Sequence, residues 1–298
     1  MDSLGDSPGD HSLMLRVLGC RVRVACSDAQ TANLVSRCYS AFLHRAARPQ
    51  GQTIDYSIER IDAESAWRIR RDRVTYYCAS SADLLYDFEK DLTIRLQHRR
   101  RTRFFVHGAV VSRHGVGAVI AGRSGAGKST LCWALCHSGF SYLSDELAPI
   151  RPDTCTVEAY PHALCLKADP GDNYPLPPAT VNAQATLHVP VECFPSPVEL
   201  AATDLGVVVF LENGAGTSGK AGARRLCPSE AAARLYANSL NQLSHPHAGL
   251  TAAAEIAAAV PSYLVYRQPV ADLVALVSAL VARQQSAASA GNPRKAVC

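Results

Sequence analysis

Residues Ala118–Leu131 read AVIAGRSGAGKSTL. An apolar run enters the stretch, Gly-x-x-x-x-Gly-Lys-Ser fills Gly122–Ser129, and a helix-compatible run follows. A phosphate-binding loop needs this order of strand, glycine-rich turn and helix. Gly122, Gly125 and Gly127 permit backbone angles and approaches that a Cβ would obstruct. The backbone of Arg123, Ser124, Ala126 and Thr130 completes a cradle whose N–H groups and helix N-terminus face the phosphates. Lys128 can reach the terminal phosphate oxygens, and the Ser129 hydroxyl can meet Mg²⁺. The expected ligands are ATP and Mg²⁺.

A metal at such a loop calls for an acidic partner. Two strand-like runs end in acid: FSYLSDE, closing on Asp145 and Glu146, and VVVFLE, closing on Glu212. Adjacent acids at a strand end can divide labour, one holding metal and one orienting or deprotonating a hydroxyl. His107, in FVHGAVV, opens the strand pair that feeds the loop. On its own, a histidine there reads as a core or edge residue.

Around this centre the chain of 298 residues is 48% apolar, enough for one large domain or two modest ones. The net charge is +4, and the whole surplus lies before His107. That is too small to argue for nucleic acid. Eleven cysteines include no Cys-x-x-Cys, so zinc-ribbon and thioredoxin-type readings lack support. Cys132 and Cys136 read as small buried residues on one helix. The odd cysteine total and the polar, acidic opening MDSLGDSPGDHS fit no export signal, and a cytoplasmic location is expected. The longest buried-looking run, LGVVVFL, is far short of a membrane span.

Residues 1–100 read as a small α+β domain with antiparallel strands, including a helix capped by Asp28 and a hairpin about Arg71–Asp72. Residues 101–284 read as an α/β domain. It comprises a hairpin across SRHG, the loop and its helix with a stop at Gly139, and an irregular excursion over 169–196. The strand DLGVVVFLE, a Gly-rich connection, the helix PSEAAARLYANSLNQ, the strand PSYLVYRQ and a final amphipathic helix follow. Residues 285–298 read as a flexible tail.

Several of these motifs, in this order, resemble the HPr kinase/phosphorylase family. The matching positions are His107–Gly108, Gly122–Ser129, Gly139, Asp145–Glu146 and the Leu-Glu ending at Glu212. The similarity is closest to the shorter HprK-related kinase A branch, through Ser-Asp-Glu at 144–146 and YPHALCLK ending at Lys167. The resemblance implies a kinase domain of the HPr-kinase/PEP-carboxykinase fold, covering about residues 104–280. It implies Asp145 as the base toward an acceptor hydroxyl, Glu146 and Ser129 near Mg²⁺, and His107 near the transferring phosphate. Thr130 stands where the HPr enzymes carry Glu, and their Gly/Arg/Asn-rich signature loop has no counterpart, which points away from HPr as acceptor.

The expected activity is ATP-dependent phosphorylation of Ser or Thr on a peptide or protein, with a ribosomally made precursor peptide as the acceptor the branch suggests. A homo-oligomer also fits the family; nucleic acid and membrane partners are not expected. Arg123, Arg224 and Arg225 are further candidates for phosphate or acceptor contacts. Two alternatives stand beside this reading. One is a small-molecule kinase acting on free serine or a similar alcohol. The other is a nucleotide-binding regulatory subunit with little turnover.

Overall fold

The computed structural model describes residues 11–44, 53–61, 66–213 and 222–289. The opening ten residues, most of the Gly-rich connection (214–221) and residues 290–298 lie outside them. Over the described residues the chain is a mixed α/β protein with three sheets.

The first sheet has strands β1 (His11–Val17), β2 (Cys20–Cys26), β3 (Thr53–Arg60), β4 (Trp67–Arg71) and β5 (Val74–Cys78), in that spatial order. Helix α1 (Ala29–Cys38) starts where the Asp28 carboxylate accepts the Thr31 amide at 2.7 Å. The β4–β5 hairpin turns at Asp72, as expected, with φ 50°. The all-antiparallel expectation does not hold. β2 and β3 pair in parallel, because α1 lies between them and the chain returns in the same direction. Helix α2 (Ser81–Arg99) covers the sheet with Leu84, Leu85, Phe88, Leu92 and Leu96.

The second sheet is built by β6 (Phe104–Arg113), β7 (Val116–Gly122), β8 (Ser141–Ser144), β9 (Leu147–Arg151), β10 (Thr156–Val157), and three later strands. Helix α3 (Lys128–His137) follows β7. The excursion over 169–196 is less irregular than expected. It contributes β12 (Val181–Asn182) and β13 (Leu187–Val189), which join β11 (Leu164–Leu166), just before it, in a small antiparallel sheet. Then come β14 (Thr203–Glu212), β15 (Ala223–Arg225), α4 (Pro228–Ala237), α5 (Leu250–Ala259), β16 (Ser262–Tyr266) and α6 (Val270–Ser289). The order in space is β10-β9-β6-β7-β14-β16-β15, with β8 also on β6. β7, β14 and β16 run parallel, so their C-terminal ends share one edge.

Alternation along the central strands feeds two cores. Ala118, Ile120, Val207, Val209 and Leu211 pack toward α3 and α6, while Val119, Ala121, Val208 and Phe210 pack toward α4 and α5. Two boundaries differ from the sequence reading. α4 stops at Ala237, because residues 238–240 extend along β6: the His107 amide donates to Asn238 O at 2.8 Å and the Leu240 amide to Phe105 O at 2.8 Å. α6 continues to Ser289, into the stretch expected to fray. Among the described residues, no helix is long and apolar enough to cross a membrane.

Candidate active site

The loop Gly122–Ser129 joins the C-terminal end of β7 to the first turn of α3. A Cβ on Gly122 would lie 2.5 Å from Leu211 O, so glycine lets β7 turn away against β14. Gly127 caps α3 with φ 95°, a left-handed conformation that glycine adopts without strain. Lys128 folds back over the loop, and its Nζ donates to Gly122 O at 2.9 Å. Its side chain is 7% exposed and has no carboxylate within ion-pair distance among the described residues. Burial lowers its pKa first, and the charge of Lys167 adds to that, against the pull of Glu146 and Asp145. A buried ammonium held only by carbonyls fits an anionic ligand such as a phosphate chain.

Lys167, just past β11, donates through Nζ to Ser124 Oγ at 3.1 Å and so brings a second ammonium to the same loop. Its place at the end of YPHALCLK carries no local signal of that role.

Asp145 and Glu146 occupy the turn between β8 and β9, and the Ser144 hydroxyl accepts the amides of Glu146 (3.3 Å) and Leu147 (3.1 Å). The two acids face different surroundings. Asp145 is 1% exposed. Its Oδ2 accepts the Cys165 amide at 2.8 Å, and its Oδ1 lies 3.1 Å from the Tyr142 hydroxyl and 3.2 Å from His162 Nε2. Burial pushes its pKa up to about 6. The side chain of Glu146 is 44% exposed, and its Oε1 lies 3.0 Å from His107 Nδ1. Its recessed position alone would raise its pKa. The hydrogen bond and charge of His107, with the charges of His162 and Lys128, outweigh that and leave it lowered. The resemblance cast Asp145 as the base toward a hydroxyl. In the structure both of its oxygens are engaged inside the protein, and the solvent-facing pair is His107 with Glu146.

Ser129 and Thr130 sit half-buried in the first turn of α3. Among the described residues, no group of three or more His, Cys, Asp or Glu could cage a metal ion. Mg²⁺ does not need such a cage. It usually keeps several waters and takes one or two carboxylates plus substrate phosphates, so Ser129 and Glu146 suit it. Glu212 is committed elsewhere, ion-paired with Arg234 of α4. Arg224 is bound to Glu230 at 2.7 Å, and Arg225 is exposed on β15. Arg123 is exposed on the loop itself. Cys132 and Cys136 are buried in α3, as expected.

A further buried group backs the site. His162 is 3% exposed, and its Nε2 lies 2.9 Å from Glu89 Oε1 of α2 as well as close to Asp145. Neither His162 nor Glu89 was singled out from sequence. The only signal was His162 falling inside the quoted YPHALCLK.

No family model matches the chain, and no curated protein does. Among solved structures it is similar to the Hpr(Ser) kinase/phosphatase from Coxiella burnetii, with a TM-score of 0.35 and 13% identity over 62% of this chain and 98% of that one.

Proposed function

We propose that this chain transfers the γ-phosphoryl group of ATP to a Ser or Thr hydroxyl of a peptide or protein. The observation that carries the reading is the His107–Glu146 pair, 3.0 Å apart and open to solvent, close enough to the buried Lys128 for the charges of Lys128 and Glu146 to act on each other. Lys128, the loop amides and Lys167 bind and orient the phosphates and stabilise their charge in the transition state. Mg²⁺, held by Ser129 and Glu146, would neutralise charge on the phosphate oxygens.

His107 is the proton acceptor in this scheme. Its Nδ1 is paired with Glu146, which selects the tautomer whose Nε2 lone pair faces outward. That nitrogen has no protein partner among the described residues. Asp145 supports the turn from behind. The burial of Asp145 also favours a second reading, a nucleotide-binding regulatory subunit with slow turnover.

The test incubates the protein with γ-labelled ATP, Mg²⁺ and a library of Ser- and Thr-containing peptides, with free serine in a parallel reaction. Label on peptide supports the proposal, and label on free serine alone identifies a small-molecule kinase. ATP binding without transfer to either identifies the regulatory subunit.

A further inference from the structure

The site carboxylate Asp145 is coupled to the first sheet through one buried histidine. His162 Nδ1 donates to Ala163 O at 2.6 Å, and its Nε2 faces Glu89 Oε1 at 2.9 Å and Asp145 Oδ1 at 3.2 Å. With an acceptor at each ring nitrogen, the imidazole carries both protons and its charge lies between two carboxylates. Both carboxylates lie within ion-pair distance of the one Nε2, so the position of each depends on the other through the charge they share. The backbone around His162 is fixed from the same side. The Ala163 amide donates to Cys38 O at 2.7 Å, Tyr39 packs against the His162 ring, and Phe42 packs against Tyr160. From the other side, the Cys165 amide and the Tyr142 hydroxyl hold Asp145. Burial alone would strip the proton from His162, and the two carboxylates overcome that and push its pKa up to about 10.

We propose that Glu89 is a positioning residue of the site: acting through His162, it sets the place of Asp145 and so of the turn that carries Glu146. The inference rests on the phosphoryl-transfer reading for its effect on turnover, and on geometry alone for its effect on Asp145. α2 also supplies an internal control. Asp91, two residues on and more deeply buried, binds Arg71, Tyr56 and Tyr76 of the first sheet, with no hydrogen bond or ion pair to His162 or Asp145 among the described residues.

The test compares the full chain with Glu89→Gln, His162→Gln, the double variant and Asp91→Asn. Three quantities are measured: ATP–Mg²⁺ affinity by calorimetry, release of labelled phosphate from ATP, and hydrogen exchange of the Cys165 amide. Glu89→Gln and His162→Gln are each expected to lower turnover by about tenfold while ATP affinity stays within about twofold, as for groups that hold a site residue from behind. The double variant is expected to be no worse than His162→Gln, since both act along one path. Exchange at Cys165 rises in both single variants and stays at the wild-type rate in Asp91→Asn.

Unchanged exchange in Glu89→Gln overturns the inference, as do single effects that multiply in the double variant. A wild type that binds no ATP overturns the phosphoryl-transfer reading, and Cys165 exchange then still decides the role of Glu89. If His162→Gln does not fold, the isosteric Glu89→Gln set against Asp91→Asn gives the same decision.

Discussion

Lys167 Nζ donates to Ser124 Oγ across 3.1 Å, joining the end of β11 to the middle of the loop that starts α3. No carboxylate pairs with Lys167 among the described residues, so its charge is available to a ligand on that loop. Lys167→Ala is expected to weaken ATP binding by about tenfold, the scale of one charge-assisted hydrogen bond. AMP, which lacks the distal phosphates, should bind wild type and variant alike. Equal losses for ATP and AMP would place Lys167 away from the phosphate chain.

Lys128 carries an opposition between function and stability. Burial lowers its folded-state pKa below the unfolded value, so at neutral pH the protonated side chain costs the fold stability. Lys128→Met keeps the length of the side chain and removes that cost. Thermal unfolding should show a melting temperature equal to or above wild type, while ATP binding and phosphate release are lost. A lower melting temperature would mean that the carbonyl contacts to Gly122 and Arg123 outweigh the desolvation.

His107→Ala should lower phosphoryl transfer by about a hundredfold or more at saturating ATP, the scale of a lost general base. Its affinity for ATP should hardly change, because the role proposed for His107 is toward the acceptor and not toward the nucleotide. Single-turnover kinetics separate the two effects. A variant that transfers at the wild-type rate would remove His107 from the proton path.

The raised pKa of His162 has a defined signature. The group titrates near 6.5 when unfolded and near 10 when folded. Its stabilising contribution is therefore complete below about pH 6.5 and is lost as the pH rises toward about 10. The charged groups facing it are Glu89 from α2 and Asp145 and Glu146 from the β8–β9 turn, and the nearby His188, its pKa lowered to about 4, is neutral throughout. Urea titrations across this range should show wild type losing on the order of a few kcal/mol that His162→Gln does not lose.

Asp91 accepts from Arg71 Nε at 2.6 Å, the Tyr56 hydroxyl at 2.7 Å and the Tyr76 hydroxyl at 2.9 Å, all within the first sheet and its helix. Asp91→Asn takes the buried counter-charge from Arg71, leaving it only the exposed Asp72, and should cost about 3 kcal/mol in denaturant unfolding. ATP affinity should remain unchanged. A weaker binder would reveal coupling that bypasses His162.

The readable parts of this protein were those whose chemistry is local. The loop, the turn at Asp72, the cap at Asp28 and the strand DLGVVVFLE each follow from a few neighbouring residues. The unread parts depend on contacts distant in sequence. Glu89 sits in ADLLYDFEKDL, where an acid among other charges looks solvated, and only folding brings it to His162. The run after Ala237 has helical character but leaves the helix, because β6 offers unpaired backbone groups at Phe105 and His107. LTAAAEIAAA carries only one charged residue, so the periodic pattern that would mark α5 as a helix is weak. The different surroundings of Asp145 and Glu146 were equally hidden, since burial distinguishes two neighbouring acids and sequence does not.

The boundary expected near residue 100 separates two sheets, and the core under the first of them runs across it. Phe105, Leu147, Tyr160, Ala163 and Ala183 lie in the same apolar cluster as the strands and helices of the first sheet. A fragment beginning at residue 101 would present these side chains to water, an invitation to aggregate. The halves are thus a single inheritance. Volume changes at Tyr39 or Phe42 must be answered at Tyr160, and a first sheet borrowed from a relative would arrive with the wrong surface.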